Sequence, residues 1–303
     1  MNGTLNTVKA RVDAVADNTQ LTVNTQPVTC KLELTAACTL QCRFCHNSAM
    51  KAGGIRQHFI SNNDFVMALD YIQSIPSIKE VGLFYMGESG LYPHLAEAYA
   101  MVKERGYFTY LTTNGTVIRN ILPAIPYIDS LKVSWNYKNR TDFMAKTGMP
   151  AGMYDLIHHN IETFYYQCHK HGKTLAVSTV LDSTKEEYED AISTLKFDEH
   201  YWIPLQNQGG TQDAGAGGVL GQADNLSTPL PCWSLFKGLY IDCDLNVRTC
   251  CYGHGDEHIL GNIKDPDNIK SRQAFMEEQL QGKIPAICRD CLNCTEVNDA
   301  CQK

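Results

Sequence analysis

The chain has 303 residues, of which 44% are hydrophobic and 19% charged, values of an ordinary globular protein large enough for one α/β domain with a small appendage. Its formal net charge of −7 argues against nucleic acid or an anionic membrane as the main partner. No stretch approaches the eighteen apolar residues of a membrane span, and the first twenty residues lack the apolar core of a signal peptide. We therefore expect a soluble protein that is not exported.

The thirteen cysteines fall into two groups, at residues 30–45 and 232–301, with only Cys168 between them. Disulfide scaffolds are usual in secreted chains below about 100 residues, a class that this sequence does not fit. Clustered cysteines in a reducing compartment favour metal binding. The pattern predicts an iron–sulfur protein of the cytoplasm.

Residues 1–27 are polar and end at Pro27, so we expect an N-terminal extension too short to form a separate leader-peptide-binding domain. The alternation of apolar and charged residues from Thr29 to Leu34 predicts the first strand. Cys38, Cys42 and Cys45 follow directly, spaced by three and two residues. Three thiolates on one short loop can hold three irons of a cubane and leave the fourth for a small molecule. A zinc knuckle is the alternative, but His46 adjoins Cys45, and adjacent residues rarely both reach one tetrahedral ion.

The cysteine triplet resembles the signature of the radical S-adenosylmethionine (radical SAM) superfamily, and the resemblance extends over roughly residues 28–294. It implies a 4Fe–4S cluster whose open iron chelates the amino and carboxylate groups of SAM. In that family, an electron from the cluster cleaves SAM to methionine and a 5′-deoxyadenosyl radical, which abstracts a hydrogen atom. It also implies that Phe44 packs on the adenine of SAM.

Strands and helices are predicted to alternate after this loop. The helix after Ser61 has Asp64 as a capping-box partner and ends at Pro76. Further helices are predicted over 93–105, 118–125, 153–171 and 185–195. The remaining five strands are predicted over 81–85, 107–112, 131–134, 175–181 and 200–205.

Six strands that alternate with helices predict an α/β fold with a parallel sheet. The sequence periodicity does not distinguish an open doubly wound sheet from a partial barrel. The family resemblance favours a partial (β/α)6 TIM barrel, with the site at the carboxyl ends of the strands.

Several polar residues follow the predicted strands, where the resemblance implies SAM-binding groups. Gly87 and Glu88 resemble the family's Gly-Gly-Glu motif, with Met86 in place of the first glycine. The glycine permits close backbone approach, and the carboxylate can accept hydrogen bonds from the SAM ammonium. Asn114 resembles a Thr-Asn-Gly turn of the family. An ordinary turn at Asn114 and a solvated loop at Glu88 are the structural alternatives.

Three further residues complete the predicted cofactor site. Ser134 and Asn136 end the fourth strand, where the family uses a serine for the carboxylate or ribose of SAM. Lys146 falls where related enzymes often have an arginine that pairs with the SAM carboxylate. A lysine keeps the charge but loses the bidentate geometry.

Residues 206–229 contain six glycines and predict either a linker or a lid. The cysteine-rich residues 230–303 are similar to the SPASM/twitch modules of radical SAM enzymes, which bind auxiliary 4Fe–4S clusters. The predicted domains are thus an extension over 1–27, the barrel over 28–205, the segment 206–229 and a small α+β module over 230–303.

The resemblance assigns one auxiliary cluster to Cys232, Cys250, Cys288 and Cys291. A second cluster that uses Cys294 and Cys301, or a structural zinc ion, is the alternative. The module departs from the family pattern at Leu245, where a glycine is usual. In radical epimerases of the superfamily a cysteine of this module returns a hydrogen atom to the substrate. Cys251 is our candidate for that donor, ahead of Cys243.

The sequence thus predicts a radical SAM enzyme that dehydrogenates or epimerises a small polar or sugar-like substrate. Modification of a ribosomal peptide, by epimerisation or crosslinking, and protein activation are alternatives with the same radical chemistry. An exogenous one-electron donor, such as a flavodoxin or ferredoxin, is expected. The alternative from another class is a non-catalytic iron–sulfur electron-transfer protein, whose cluster would have four protein ligands and would not cleave SAM.

Overall fold

The computed structural model describes residues 21–45, 47, 58–204, 231–253 and 255–288. The predictions for residues 1–20, His46, the segment 206–229, Cys291, Cys294 and Cys301 lie outside these ranges. Among the described residues, no helix has the length and apolar character needed to cross a membrane.

Strands and helices alternate along the chain as predicted. The strands are β1 (Thr29–Leu32), β2 (Glu80–Gly82), β3 (Phe108–Thr113), β4 (Ser130–Ser134), β5 (Leu175–Leu181), β6 (Glu199–Pro204), β7 (Gly238–Ile241), β8 (Asn246–Arg248) and β9 (Ile259–Asn262). The helices are α1 (Asn62–Gln73), α2 (Leu95–Glu104), α3 (Ile118–Ile121), α4 (Arg140–Thr147), α5 (Ala151–Lys170), α6 (Glu186–Ser193), α7 (Trp233–Lys237) and α8 (Gln273–Leu280).

The chain divides into two compact units, which we describe separately. One unit contains Met1–Leu32, Ile60–Lys79 and Gln206–Lys303, and the other contains Glu33–Phe59 and Glu80–Leu205. The predicted domain boundaries at residues 27, 205 and 229 stay a prediction.

In the second unit, strands β2 to β6 pair in chain order, and every pairing is parallel. Among the described residues β6 pairs only with β5, so the sheet is open. Helix α5 packs on it through residues spaced three or four apart, and Ile157, Ile161 and Phe164 are fully buried. This mostly parallel sheet with helices confirms the predicted α/β class.

In the first unit, β1 pairs with β7 in parallel, and the antiparallel strands β7, β8 and β9 follow. With α7 and α8 they form an α+β arrangement in the described part of residues 230–303. The predicted cap of α1 is present: Ser61 Oγ accepts a hydrogen bond from Asp64 N at 3.1 Å and donates one to its carboxylate at 2.9 Å.

The turn between β7 and β8 is built on a buried ion pair. Arg248 donates to Asp242 Oδ2 from Nε at 2.8 Å, with Nη2 at 2.7 Å. The other Asp242 oxygen accepts from the backbone N–H groups of Asp244 and Asn246. These bonds satisfy a carboxylate that has no exposed surface, so the turn depends on Asp242.

Leu245 occupies the left-handed region in this turn, with φ of 68°. A side chain there costs about 1–2 kcal/mol, which explains why related modules favour glycine. Leu245 is fully buried, and the burial of a leucine side chain stabilises the folded state by about 2 kcal/mol. The backbone cost of a leucine in place of the usual glycine is therefore offset by the burial of the Leu245 side chain.

We predict that Asp242→Ala lowers the free energy of unfolding by about 3–5 kcal/mol, because it leaves the guanidinium of Arg248 buried without its carboxylate. Urea denaturation measures the change. Asp267→Ala is the matched control, since Asp267 is exposed, and we expect it to stay within about 0.5 kcal/mol of the parent. Equal effects of the two substitutions would contradict this account.

Candidate active site

Cys38, Cys42 and Cys45 lie together on one loop of the second unit, half-buried. The N–H of Cys45 donates to the carbonyl of Cys42 at 3.0 Å, so the last two cysteines share a tight turn. None of the described cysteines forms a disulfide. Phe44 lies half-buried within this turn, and its contact with adenine stays a prediction.

A buried asparagine holds this loop at both ends. Asn47 Nδ2 donates to the carbonyls of Ala36 at 3.1 Å and Met86 at 2.8 Å. It therefore ties the end of the cysteine loop to its start and to the loop after β2. Sequence reasoning missed Asn47, because a single asparagine after the cysteines has no distinguishing pattern.

Gly87 lies where the loop after β2 touches the backbone that leads into the cysteine loop. A Cβ atom at Gly87 would lie 2.2 Å from the carbonyl oxygen of Thr35 and 2.5 Å from that of Ala37. The next residue, Glu88, donates its N–H to the Ala37 carbonyl at 2.8 Å. The glycine thus allows a close approach of two protein backbones, and contact with SAM stays a prediction.

The Glu88 carboxylate is buried and joins the ends of β2 and β3. Oε1 accepts from Thr113 Oγ1 at 2.7 Å and from Gly90 N at 2.9 Å, and Oε2 accepts from Asn114 N at 2.8 Å. Burial raises the pKa of Glu88 above its usual value, and these hydrogen bonds offset part of the rise. Glu88 is not the solvated loop residue of the alternative reading; its contact with the SAM ammonium stays a prediction.

Asn114 reaches a cysteine of the loop. Its Nδ2 lies 3.5 Å from Cys38 Sγ and 3.0 Å from Thr39 Oγ1, and its Oδ1 accepts from Thr116 N at 2.9 Å. The side chain is therefore both a turn former and an N–H donor towards sulfur. Its predicted contact with SAM stays untested.

Tyr137 is a residue of this site that sequence reasoning missed. Its side chain is buried, and its pKa lies well above the usual value because of that burial and because the sulfurs of Cys42 and Cys38 face it. The phenol hydroxyl faces the sulfur of Cys42, towards which it can donate a hydrogen bond. It lies one residue beyond the predicted Asn136, and only its place after β4 could have indicated it.

Ser134 and Asn136 lie at the carboxyl end of β4 as predicted. Ser134 is half-buried and paired in register with Ser178 of β5. Asn136 is buried, and its Oδ1 accepts from Val180 N at 2.7 Å. The amide therefore connects β4 to β5, and a role of either residue in SAM binding stays a prediction.

Lys146 lies in α4, a helix that the sequence analysis did not predict. Its ammonium is buried between Asp142 and Asp182, each at 2.9 Å, and donates to Tyr188 Oη at 2.7 Å. Burial alone would raise the pKa of Asp182, but hydrogen bonds from Tyr188 and Lys146 bring it below its usual value. Lys146 thus already has two carboxylate partners, and pairing with the SAM carboxylate stays a prediction.

The backbone of Lys146 also positions the cysteine loop. Its carbonyl accepts from Arg43 N at 2.8 Å, and its Nζ donates to the Asn136 carbonyl at 3.0 Å. Lys146 therefore links α4 and the end of β4 to the loop.

The second cysteine group gathers in the first unit. Burial raises the pKa of Cys250 well above its usual value, and the nearby Cys251, Cys232 and Cys288 raise it further. Three of the four predicted auxiliary ligands are therefore neighbours, and the fourth, Cys291, lies outside the described residues. Cys251, the candidate hydrogen donor, lies 3.2 Å from Ser234 Oγ.

Gln279 of α8 connects two of these cysteines and was missed from the sequence. Its Oε1 accepts from Cys232 N at 2.7 Å, and its Nε2 lies 3.6 Å from Cys288 Sγ. The side chain is buried. An amide that satisfies both groups holds the two segments side by side.

The residues at the first loop fit a cubane cluster. A tetrahedral zinc ion would hold its thiolates about 4 Å apart, whereas Cys38, Cys42 and Cys45 are not gathered within 4.8 Å of one another in the described structure. Asn114 donates a hydrogen bond to the sulfur of Cys38, and the hydroxyl of Tyr137 faces that of Cys42, as the sulfurs of clusters commonly receive hydrogen bonds. Cys38, Cys42 and Cys45 would hold three irons, with the fourth open to SAM.

A sequence profile of the radical SAM superfamily matches residues 32–197, more than half of the chain. The chain therefore belongs to the radical SAM superfamily, and a 4Fe–4S cluster and SAM are its cofactors. No functionally curated protein is similar enough in sequence to count as a match.

Several solved structures have the same fold as this chain. BtrN in complex with AdoMet and 2-DOIA has 14% identity and a TM-score of 0.54, with 88% of this chain and 93% of that chain covered. Streptococcus suis SuiB bound to the precursor peptide SuiA has 12% identity and a TM-score of 0.60, with 83% and 65% covered. The enzyme anSMEcpe with bound AdoMet has 12% identity and a TM-score of 0.64, with 88% and 86% covered. The predicted partial barrel is confirmed.

We predict that Gly87→Ala destabilises the protein by about 1–3 kcal/mol and reduces iron incorporation, because the methyl group must push the Thr35–Ala37 backbone away. Gly152→Ala in α5 is the matched control, since a Cβ there meets nothing within 4 Å. It should be neutral or stabilise by up to about 1 kcal/mol. Urea denaturation and iron analysis after anaerobic reconstitution measure both effects. Full iron loading and parental stability of the Gly87 variant would contradict the prediction.

We predict that Tyr137→Phe lowers the reduction potential of the SAM-binding cluster. A hydrogen bond to sulfur stabilises the more negative reduced cluster, and about 1 kcal/mol corresponds to roughly 40 mV for one electron. Potentiometric titration followed by electron paramagnetic resonance measures the shift, in a Cys232/Cys250/Cys288→Ala background. Tyr127→Phe, at an exposed tyrosine, is the control. An unchanged or higher potential in the Tyr137 variant would contradict the assignment.

Proposed function

We propose that this radical SAM enzyme dehydrogenates or epimerises a small polar or sugar-like substrate. The observation that carries the proposal is the second cysteine group, in which Cys232, Cys250, Cys251 and Cys288 are neighbours. A chain that only cleaved SAM would not need this group. Modification of a peptide and activation of a protein are the alternatives with the same chemistry.

The chain's own residues prepare the first site. When bound, the reduced cluster and SAM supply a 5′-deoxyadenosyl radical that takes a hydrogen atom from the substrate. Gly87 and Asn47 fix the backbone of the cysteine loop, and Asn114 and Tyr137 donate hydrogen bonds towards its sulfurs. Preorganisation of this kind keeps the ligand sulfurs in place without rearrangement.

The second group supports both proposed outcomes. Cys232, Cys250 and Cys288, with Cys291 by the family resemblance, would hold an auxiliary cluster, which supplies a site for the electron that a dehydrogenation releases. Cys251 carries a thiol beside these ligands, and a thiol is a hydrogen donor of the kind that epimerisation needs. We propose one auxiliary cluster, with a flavodoxin or ferredoxin as the external one-electron donor. A cytoplasmic location stays a prediction from the clustered cysteines.

The solved structures do not decide the substrate. One structure holds 2-DOIA and another a precursor peptide, and at 12–14% identity both support only the fold. The preference for a small substrate is therefore a proposal.

We predict about eight irons per chain after anaerobic reconstitution, and 5′-deoxyadenosine after addition of dithionite and SAM. A Cys38/Cys42/Cys45→Ala variant should keep about four irons and form no 5′-deoxyadenosine. Cys168→Ala is the matched control, since Cys168 is buried in α5 and belongs to neither cysteine group, and this variant should keep about eight irons.

Other iron counts separate the alternatives. About twelve irons would indicate two auxiliary clusters, and about four in the parent chain would remove the auxiliary cluster from the proposal. Iron-replete protein that never cleaves SAM would leave the electron-transfer alternative.

A further inference from the structure

The sheet of the second unit has two faces with different chemistry. Trp135, which continues β4, packs its ring on Tyr154 of α5 with centroids 4.7 Å apart. Side chains alternate along a strand, so Trp135 and Val133 share the face covered by α5. Lys132 and Ser134 point to the opposite face. That face belongs to the inner side of the partial barrel.

Lys132 lies in the middle of this inner face. Its register partners are Thr112 of β3 and Ala176 of β5, and Ala176 pairs in turn with Glu199 of β6. The Lys132 ammonium lies 5.2 Å from the ring centroid of Tyr201, on the strand beyond β5. The cation therefore extends across the sheet over an aromatic face.

No carboxylate neutralises this cation within the described ranges. In the described ranges the contact of the Lys132 ammonium is with the ring of Tyr201 and not with an acidic side chain, although Glu199 lies on the same face two strands away. Burial alone lowers the pKa of Lys132 to about 8. Tyr110 and Tyr201 are further titratable groups that the register places on this face, and Glu80 lies on it at the start of β2, two strands from Lys132. A lysine in this environment releases its proton more readily than an exposed one, and an anionic ligand beside it would stabilise the ammonium form.

A second polar group on this face has no partner in the described structure. Ser178 is 1% exposed, and its Oγ forms no hydrogen bond there. It lies two residues beyond Ala176, or about 7 Å towards the carboxyl end of β5. It is also the register partner of Tyr201. A donor hydroxyl thus lies between Lys132 and the end of the barrel where the cysteine loop begins.

We propose that Lys132 and Ser178 bind a carboxylate group of the substrate inside the barrel. The inference rests on the proposed function and specifies its substrate class as a small molecule or peptide that bears a carboxylate. One lysine and one hydroxyl match a single negative charge. A phosphate dianion would require more positive charge than the described part of this face offers.

The test uses the reconstituted holoenzyme and measures the reactivity of individual lysines. Trace labelling with N-acetoxysuccinimide from pH 6 to 10, followed by peptide mass spectrometry, reports the rate at each lysine. We expect a midpoint at about 8 for Lys132. Propionate should slow its labelling severalfold, whereas chloride at the same ionic strength should not. Exposed Lys170 on α5 is the matched control and should not respond to propionate.

Three outcomes would overturn the proposal. The first is labelling of Lys132 that propionate does not slow. The second is protection by inorganic phosphate that exceeds protection by propionate. The third is a Lys132→Met variant that binds SAM at least tenfold more weakly, with Lys132→Arg restoring the affinity, because the anion would then be the carboxylate of SAM.

The labelling needs no turnover, so its result is distinct from that of the SAM-cleavage experiment. A parent chain that cleaves SAM but gives no protection of Lys132 would remove only this inference. A chain that shows protection but never forms 5′-deoxyadenosine would remove the proposed function and leave an anion site. If the Lys132→Met variant fails to fold, labelling of the parent chain still decides the matter.

Discussion

The contact between two backbones at Gly87 is the constraint on which the site depends. There the loop after β2 lies against the Thr35–Ala37 segment too closely for any side chain. From this contact a series of hydrogen bonds runs from Ala37 to Glu88, from Glu88 to Asn114, and from Asn114 to Cys38. The series begins at Ala37, directly before the first cysteine of the loop, and ends at the sulfur of that cysteine, Cys38. The ends of β2 and β3 therefore fix the position of a cluster ligand.

The opposite side of the loop is held by groups that follow β4. The hydroxyl of Tyr137 faces the sulfur of Cys42, and the Lys146 carbonyl accepts a hydrogen bond from Arg43 N. A loop that carries three ligand sulfurs has few apolar residues with which to anchor itself, so its order comes from polar contacts with neighbouring strand ends. Such contacts explain why a partial barrel places its chemistry at the carboxyl ends of its strands.

The parts of this arrangement that could be predicted are those with a period or a spacing. The apolar run of β5 predicted that strand with the bounds that the structure shows. The spacing of the three cysteines predicted the loop on which they lie. Helix α4 was missed because its buried face consists of Phe143, Lys146 and Thr147, so only one of three buried residues is apolar. Asn47, Tyr137 and Gln279 were missed because each acts through a contact distant in sequence, which no local pattern records.

The two inward lysines of the second unit show how partners separate a structural charge from a functional one. Lys146 is neutralised by Asp142 and Asp182, so its desolvation is compensated within the protein, and its removal would leave two half-buried carboxylates without their cation. Lys132 has only an aromatic ring beside it in the described structure. A cation–π contact returns about 1–2 kcal/mol, less than the several kcal/mol that a buried charge costs. Burial therefore favours the neutral amine of Lys132, and the carboxylate that we propose to enter the barrel would stabilise its charged form.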